Sequence, residues 1–116
     1  MNLKECYQQI NGDYEGVVSR FLKEDRVQRF VLKFLNDKSY DLLIDSLANK
    51  NYQDAFRASH TIKGVCQNLG FSVLYQSSHD LTELLRNGYQ DGVDELVEQV
   101  KKDYQDTINA IKQLDV

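Results

Sequence analysis

Apolar residues along most of this chain recur at the three- and four-residue intervals of amphipathic helices. No stretch alternates between apolar and polar residues as a half-buried strand would. The apolar positions that follow the helical spacing include Val27, Phe30, Val31, Phe34, Leu35, Leu43, Leu47, Val93, Leu96, Val97, Val100, Tyr104, Ile108 and Ile111. This pattern predicts a chain built from helices alone.

Turn-favouring residues interrupt the periodic stretches and divide them into separate helices. The breaks are Asn11–Asp13, Asn36–Asp37, Asn49–Asn51, Gly70 and Asn87–Gly88. Between them, the pattern predicts helices at about 3–10, 13–22, 25–36, 39–50, 52–69, 71–87 and 92–114. Short connections make consecutive long helices antiparallel neighbours. The predicted fold is therefore an all-α, up-down-up-down antiparallel four-helix bundle with short N-terminal helices packed on one end.

The length of 116 residues favours a single domain with one core. We predict one helical domain over residues 1–116, in which residues 1–36 form the N-terminal helices and residues 39–114 form the bundle. The absence of proline agrees with this interpretation, because proline is excluded from helix interiors.

The charge balance and the cysteines narrow the classes of function. With 14 Lys and Arg against 18 Asp and Glu, the net charge of −4 gives no basic field for a nucleic-acid backbone. No apolar run approaches a membrane span, and the N-terminus lacks the pattern of a signal peptide. We therefore expect a cytoplasmic protein that binds neither nucleic acid nor membrane. Cys6 and Cys66 lack the spacing of a metal or redox motif and are predicted to be structural thiols.

The helix predicted to start after Asn51 separates its residues into two faces. Asn51 is a good N-cap, and Asp54 suits the first turn of a helix. The stripe that should face the core comprises Ala55, Phe56, Ser59, Ile62, Cys66 and Leu69. The opposite stripe comprises Gln53, Arg57, His60, Lys63, Gly64 and Gln67. His60 is therefore predicted to face solvent, with Lys63 and Gly64 one turn further along the same side.

Gly64 is unexpected within this helix, because a glycine there costs about 1 kcal/mol relative to alanine. Either the helix ends at Lys63 with Gly64 as its cap, or it continues to Gly70. The apolar register continues through position 64, so we favour the continuous helix. An exposed Gly64 then leaves room for another molecule to approach His60, and Lys63 can neutralise an anion there. A neutral imidazole beside an ammonium suits phosphoryl chemistry, although a solvated surface histidine without function fits the residue types equally well.

The segment Ser59–Gly70 resembles the signature of the histidine-containing phosphotransfer (HPt) domain family, His-x-x-Lys-Gly followed five residues later by Leu-Gly. The resemblance implies that His60 accepts a phosphoryl group from an aspartyl phosphate of a response-regulator receiver domain and passes it to another receiver aspartate. It also implies that Lys63 assists at the phosphoryl oxygens and that Gly64 leaves room for the partner. Arg57 and Gln67 share the predicted polar stripe, so we expect them to form the receiver-docking face together with Gly64. Family members often place Glu or Gln 22 residues after this histidine to orient the imidazole, whereas this chain has Thr82, followed by Glu83.

The same resemblance implies which components the partner supplies. The receiver domain, including one from a hybrid histidine kinase, would bring the Mg²⁺ and the aspartate, so we expect no metal or cofactor on this chain. No nucleotide-binding motif is present, and we therefore expect a phosphohistidine carrier rather than a kinase. Each predicted helix has only one clear apolar stripe, so we expect a monomer. His79 lacks the partner ligands of a metal site and is predicted to be a residue at the edge of the core. The alternative function is a helical interaction module that docks a receiver or another partner without phosphoryl transfer.

Overall fold

A computed structural model describes all 116 residues, which form helices joined by short turns. The helices are α1 (Leu3–Gln9), α2 (Tyr14–Phe21), α3 (Glu24–Lys33), α4 (Ser39–Ala48), α5 (Tyr52–Leu69), α6 (Ser72–Leu85) and α7 (Val93–Lys112). There is no strand, and the prediction of an all-α helical bundle is confirmed. The predicted third helix was too long, because α3 ends at Lys33 and a single 3₁₀ turn spans Phe34–Asn36.

Local interactions set both ends of α5. The Asn51 side chain accepts a hydrogen bond from the backbone N–H of Asp54 at 3.1 Å, as predicted for an N-cap. Gly70 ends the helix with φ of 71°, a left-handed conformation that glycine adopts without a steric penalty. The 18 residues between them form one uninterrupted helix that passes through position 64, which confirms the continuous interpretation.

The four long helices pack as a bundle around α5. This helix lies between α4 and α6, and α6 also packs against α7. The stacked rings of Tyr40 and Tyr104, with centroids 3.7 Å apart, join α4 to α7. Contacts pair the beginning of α5 with the end of α6, where the Arg86 guanidinium lies 5.2 Å from the ring of Phe56. The two helices therefore run in opposite directions.

The N-terminal helices cover the carboxyl end of α5. The Tyr7 hydroxyl donates to the carbonyl of Leu69 at 2.6 Å, and the backbone N–H of Asp13 donates to the carbonyl of Gly70 at 2.8 Å. The Arg20 guanidinium donates to the carbonyl of Asn68 at 2.9 Å. These bonds satisfy acceptors that the last turn of a helix cannot satisfy itself. A continuous apolar core includes residues from all seven helices.

Burial separates residues that the sequence pattern alone does not distinguish. Phe30 follows the helical spacing of the apolar residues but is 41% exposed. Cys6 and Cys66 are both fully buried, as expected for structural thiols, and burial raises the pKa of Cys6 to about 11. Burial also raises the pKa of the Cys66 thiol, which makes its reactive thiolate scarce at neutral pH.

None of the helices combines the length and apolar character that a bilayer span requires.

Candidate functional site

Helix α5 divides into the two faces that its sequence predicts. The buried side is formed by Ala55, Ala58, Ser59, Ile62, Cys66 and Leu69. On the opposite side, Arg57, His60, Gly64 and Gln67 are exposed and Lys63 is partly buried. The packing of α5 against its neighbours thus leaves all five predicted site residues on one side of a single helix.

His60 and Lys63 are both free of polar partners within the protein. The His60 imidazole makes no hydrogen bond to protein, and its ring lies 6.1 Å from that of Phe56, centroid to centroid. None of the five ion pairs involves Lys63, so no carboxylate lies within 4.0 Å of its ammonium. Residues three apart on a helix are surface neighbours. An unpaired cation therefore lies beside an unpaired imidazole.

Gly64 and the two outer residues of this face differ in what surrounds them. A Cβ added at Gly64 would meet no atom within 4 Å, so no internal contact requires glycine at this position. Arg57 is bound to Asp54 at 2.9 Å, and its charge is therefore partly compensated. The Gln67 side chain is exposed, whereas its carbonyl accepts a hydrogen bond from Arg20 at 3.2 Å.

An ion pair on α6 borders this face and was not predicted from the sequence. Arg86 lies over the ring of Phe56 and is bonded to Glu83 at 2.5 Å. The hydrogen bond from Arg86 holds the pKa of the exposed Glu83 carboxyl below its usual value, and electrostatic interactions with Arg86 and Lys63 add to this effect. Glu83 is therefore ionised at neutral pH. Only the antiparallel packing of α6 on α5 brings Arg86 near Phe56, 30 residues earlier.

Thr82, 22 residues after His60 in the sequence, faces the interior. It is fully buried, and its hydroxyl donates to the carbonyl of Ser78 at 2.6 Å. The same carbonyl accepts a hydrogen bond from Ser59 Oγ at 3.1 Å, and the two hydroxyl oxygens lie 2.7 Å apart. Thr82 thus joins α6 to the residue that precedes His60, and its only polar group is committed to that contact.

His79 does not belong to a cluster of side chains that could hold a metal ion. Its ring stacks on Tyr75 with centroids 5.8 Å apart, and its buried Nδ1 atom has no hydrogen-bond partner. No group of three or more His, Cys, Asp or Glu side chains is arranged to hold a metal ion. The structure therefore offers no ligand set that includes both histidines.

Comparison with known families gives one match. A family model described as the Hpt domain matches residues 36–111, which include α4, α5, α6 and nearly all of α7. The match includes every residue of the exposed α5 face and excludes helices α1 to α3. No curated protein and no solved structure matches the chain.

We predict that Thr82→Val lowers the free energy of unfolding by about 1–2 kcal/mol, because it removes a buried hydroxyl that contacts Ser59. Thr61→Val is the matched control. The Thr61 hydroxyl also donates to the carbonyl four residues earlier, but it is exposed, so its loss should cost less than about 0.5 kcal/mol. Urea unfolding followed by circular dichroism measures both values. Equal losses in the two variants would show that the contact between the Thr82 and Ser59 hydroxyls contributes nothing to the free energy of unfolding.

Proposed function

The chain belongs to the Hpt domain family, which acts in histidine phosphotransfer in two-component signalling, and we propose that His60 is its phosphoacceptor. In this proposal, His60 takes the phosphoryl group from an aspartyl phosphate of one receiver domain and passes it to an aspartate of another. The observation that carries the proposal is the exposed His60 on α5, inside the family match, with the unpaired Lys63 one turn away.

The transfer requires little covalent chemistry from this chain. A ring nitrogen of the neutral His60 imidazole attacks the phosphorus, a P–N bond forms, and the P–O bond to the aspartyl carboxylate breaks. The carboxylate leaves with the electron pair of that bond, and the reverse sequence delivers the phosphoryl group to the next receiver. Such a reaction depends on positioning and on charge stabilisation. The absence of an internal partner supports this role, because the imidazole need not break a hydrogen bond before it reacts.

Lys63 is the residue best suited to stabilise the transferring group. Its ammonium has no carboxylate within 4.0 Å, so its charge is not already neutralised by an ion pair. A positive charge placed where negative charge develops lowers the barrier to phosphoryl transfer. Arg86 differs in this respect, because Glu83 already binds its guanidinium.

The open surface at Gly64 accommodates the receiver. Nothing in the protein fills the space that a side chain would occupy there, so the partner can approach His60 closely over the surface at Gly64. Arg57 and Gln67 extend the same exposed side in both directions. We propose that receivers, including those of hybrid kinases, dock on this exposed side of α5 and that the receiver brings the Mg²⁺. We also propose that this chain acts as a monomer in the cytoplasm.

We predict that His60→Gln abolishes phosphoryl acceptance from a panel of phosphorylated receiver domains, because the nucleophile is lost. His79→Gln is the matched control and should accept at the wild-type rate. Radiolabel transfer measures both, and the wild-type product should be labile in acid and stable in base. Thermal unfolding of His60→Gln should match wild type, since an exposed side chain contributes little packing.

A His60→Gln protein that still accepts label would disprove the assignment of this residue. Receiver binding without any transfer to wild type would instead favour the interaction module that docks without phosphoryl transfer.

We predict that Lys63→Ala slows transfer roughly 10- to 100-fold while the receiver Kd changes by less than about threefold. Lys101→Ala, which removes an exposed lysine from α7, controls for the loss of one positive charge. Single-turnover transfer gives the rate, and isothermal titration gives the affinity. A large loss of affinity with an unchanged transfer rate would make Lys63 a docking residue.

We predict that Gly64→Gln slows transfer roughly 10- to 100-fold by obstructing the partner, whereas Gly64→Ala has a smaller effect. Both variants should be more stable than wild type by up to about 1 kcal/mol, because glycine is unfavourable inside a helix and the added atoms meet no neighbour. Transfer rates and urea unfolding measure the two effects. Transfer by Gly64→Gln at the wild-type rate would show that the receiver does not approach over this position.

A further inference from the structure

Residues 20–33, which include the end of α2 and all of α3, lie outside the family match and differ in charge from the rest of the chain. This segment has five basic and two acidic residues, a net charge of +3, whereas the remainder has nine basic and sixteen acidic residues, a net charge of −7. The basic residues are Arg20, Lys23, Arg26, Arg29 and Lys33. None of them forms an ion pair, so no carboxylate neutralises their charges.

The same segment exposes two large apolar side chains. Leu22 is 76% exposed and Phe30 is 41% exposed. The ring of Phe21 packs against that of Phe30 with centroids 5.1 Å apart. The ammonium of Lys33 lies 5.0 Å from the centroid of the Phe30 ring. Apolar side chains surrounded by unpaired cations are typical of interaction surfaces rather than of a solvated helix face.

The backbone conformation of Leu22 supports a functional rather than a structural role for this residue. Leu22 follows α2 with φ of 71°, a left-handed conformation that glycine or asparagine adopts far more readily than leucine. Its side chain is exposed, so burial of that side chain does not compensate for this strain. Strained residues of this kind cluster at functional sites.

This surface adjoins the exposed face of α5. Phe30 and Lys33 line a groove together with Val65 and Asn68 of α5. Arg20, at the other end of the segment, binds the carbonyls of Gln67 and Asn68. Gln67 and Asn68 lie one turn beyond Gly64, so a partner that covers His60 and Gln67 can also contact the segment.

We propose that Leu22, Phe30, Arg26, Arg29 and Lys33 form a second contact surface, the α2–α3 patch, for an acidic region with an exposed apolar side chain on the receiver that exchanges phosphoryl groups with His60. The proposal rests on the proposed function. Unpaired surface cations accelerate association with an acidic partner and disfavour basic ones. The net charge of −7 on the rest of the chain favours a compact acidic protein surface over an extended anionic membrane.

The first test is Arg26→Glu/Arg29→Glu, with Lys101→Glu/Lys102→Glu on α7 as the control of equal charge change. Affinity and transfer rate are measured at 50 and 300 mM salt with the receiver domain that binds wild type most tightly in the panel. We expect the α3 variant to bind at least roughly tenfold more weakly at 50 mM salt, with a smaller difference at 300 mM, because salt screens these charges. The α7 variant should stay within about threefold of wild type.

The second test is Leu22→Asn, which separates docking from folding. Asparagine tolerates the left-handed conformation better than leucine, so the unfolding temperature should rise by roughly 2–6 °C. Receiver affinity should nevertheless fall about threefold or more, because the exposed apolar side chain is gone. A variant that is both more stable and weaker in binding cannot owe its defect to misfolding.

The outcomes separate this proposal from the proposed function. Affinities of the patch variants equal to wild type at both salt concentrations would overturn the patch, even if His60-dependent transfer persists. Patch-dependent receiver binding without any transfer would support the patch and overturn the proposed function. If the patch variants lost binding to phosphatidylserine vesicles but still bound the receiver like wild type, the patch would be overturned as a protein-docking surface.

Discussion

The register of helix α5 is the constraint on which the rest of the structure depends. A straight helix can bury only one side, and α5 buries Ser59, Ile62 and Cys66 against its neighbours. Rotation by one residue, 100°, would turn His60 towards α6 and expose part of the core. The packing that stabilises the bundle therefore also holds the imidazole at the surface.

The contact of Ser59 with Ser78 and Thr82 reinforces that register. A hydrogen-bonded group that is displaced from its partner is left unsatisfied in the interior, which adds a directional penalty to the loss of apolar packing. This buried polar contact involves Ser59, the residue that precedes His60 on α5. Thr82 thereby contacts the Ser59 side chain rather than the imidazole, so the position of His60 depends on how firmly α5 and α6 are joined.

Charge is unevenly distributed over this acidic protein, and the uneven distribution gives its surfaces different properties. Near His60, Arg86 forms an ion pair with Glu83, whereas Lys63 has no carboxylate within 4.0 Å, so the two cations differ in how far their charge is neutralised. The N-terminal helices also serve two purposes. Tyr7 and Arg20 bind the last carbonyls of α5, while the exposed side of α3 concentrates positive charge outside the family match.

Local interactions made much of this protein predictable from its sequence alone. The Asn51 cap, the left-handed Gly70 and the apolar period determined the extent of α5 and placed His60, Lys63 and Gly64 on one exposed side, because caps and helical period act over a few residues. Periodicity does not reveal which neighbour covers a given face. Only the tertiary structure therefore showed that Phe30 remains exposed, that Thr82 contacts Ser59, and that Arg86 reaches Phe56 from 30 residues away, since each depends on how separate helices pack together.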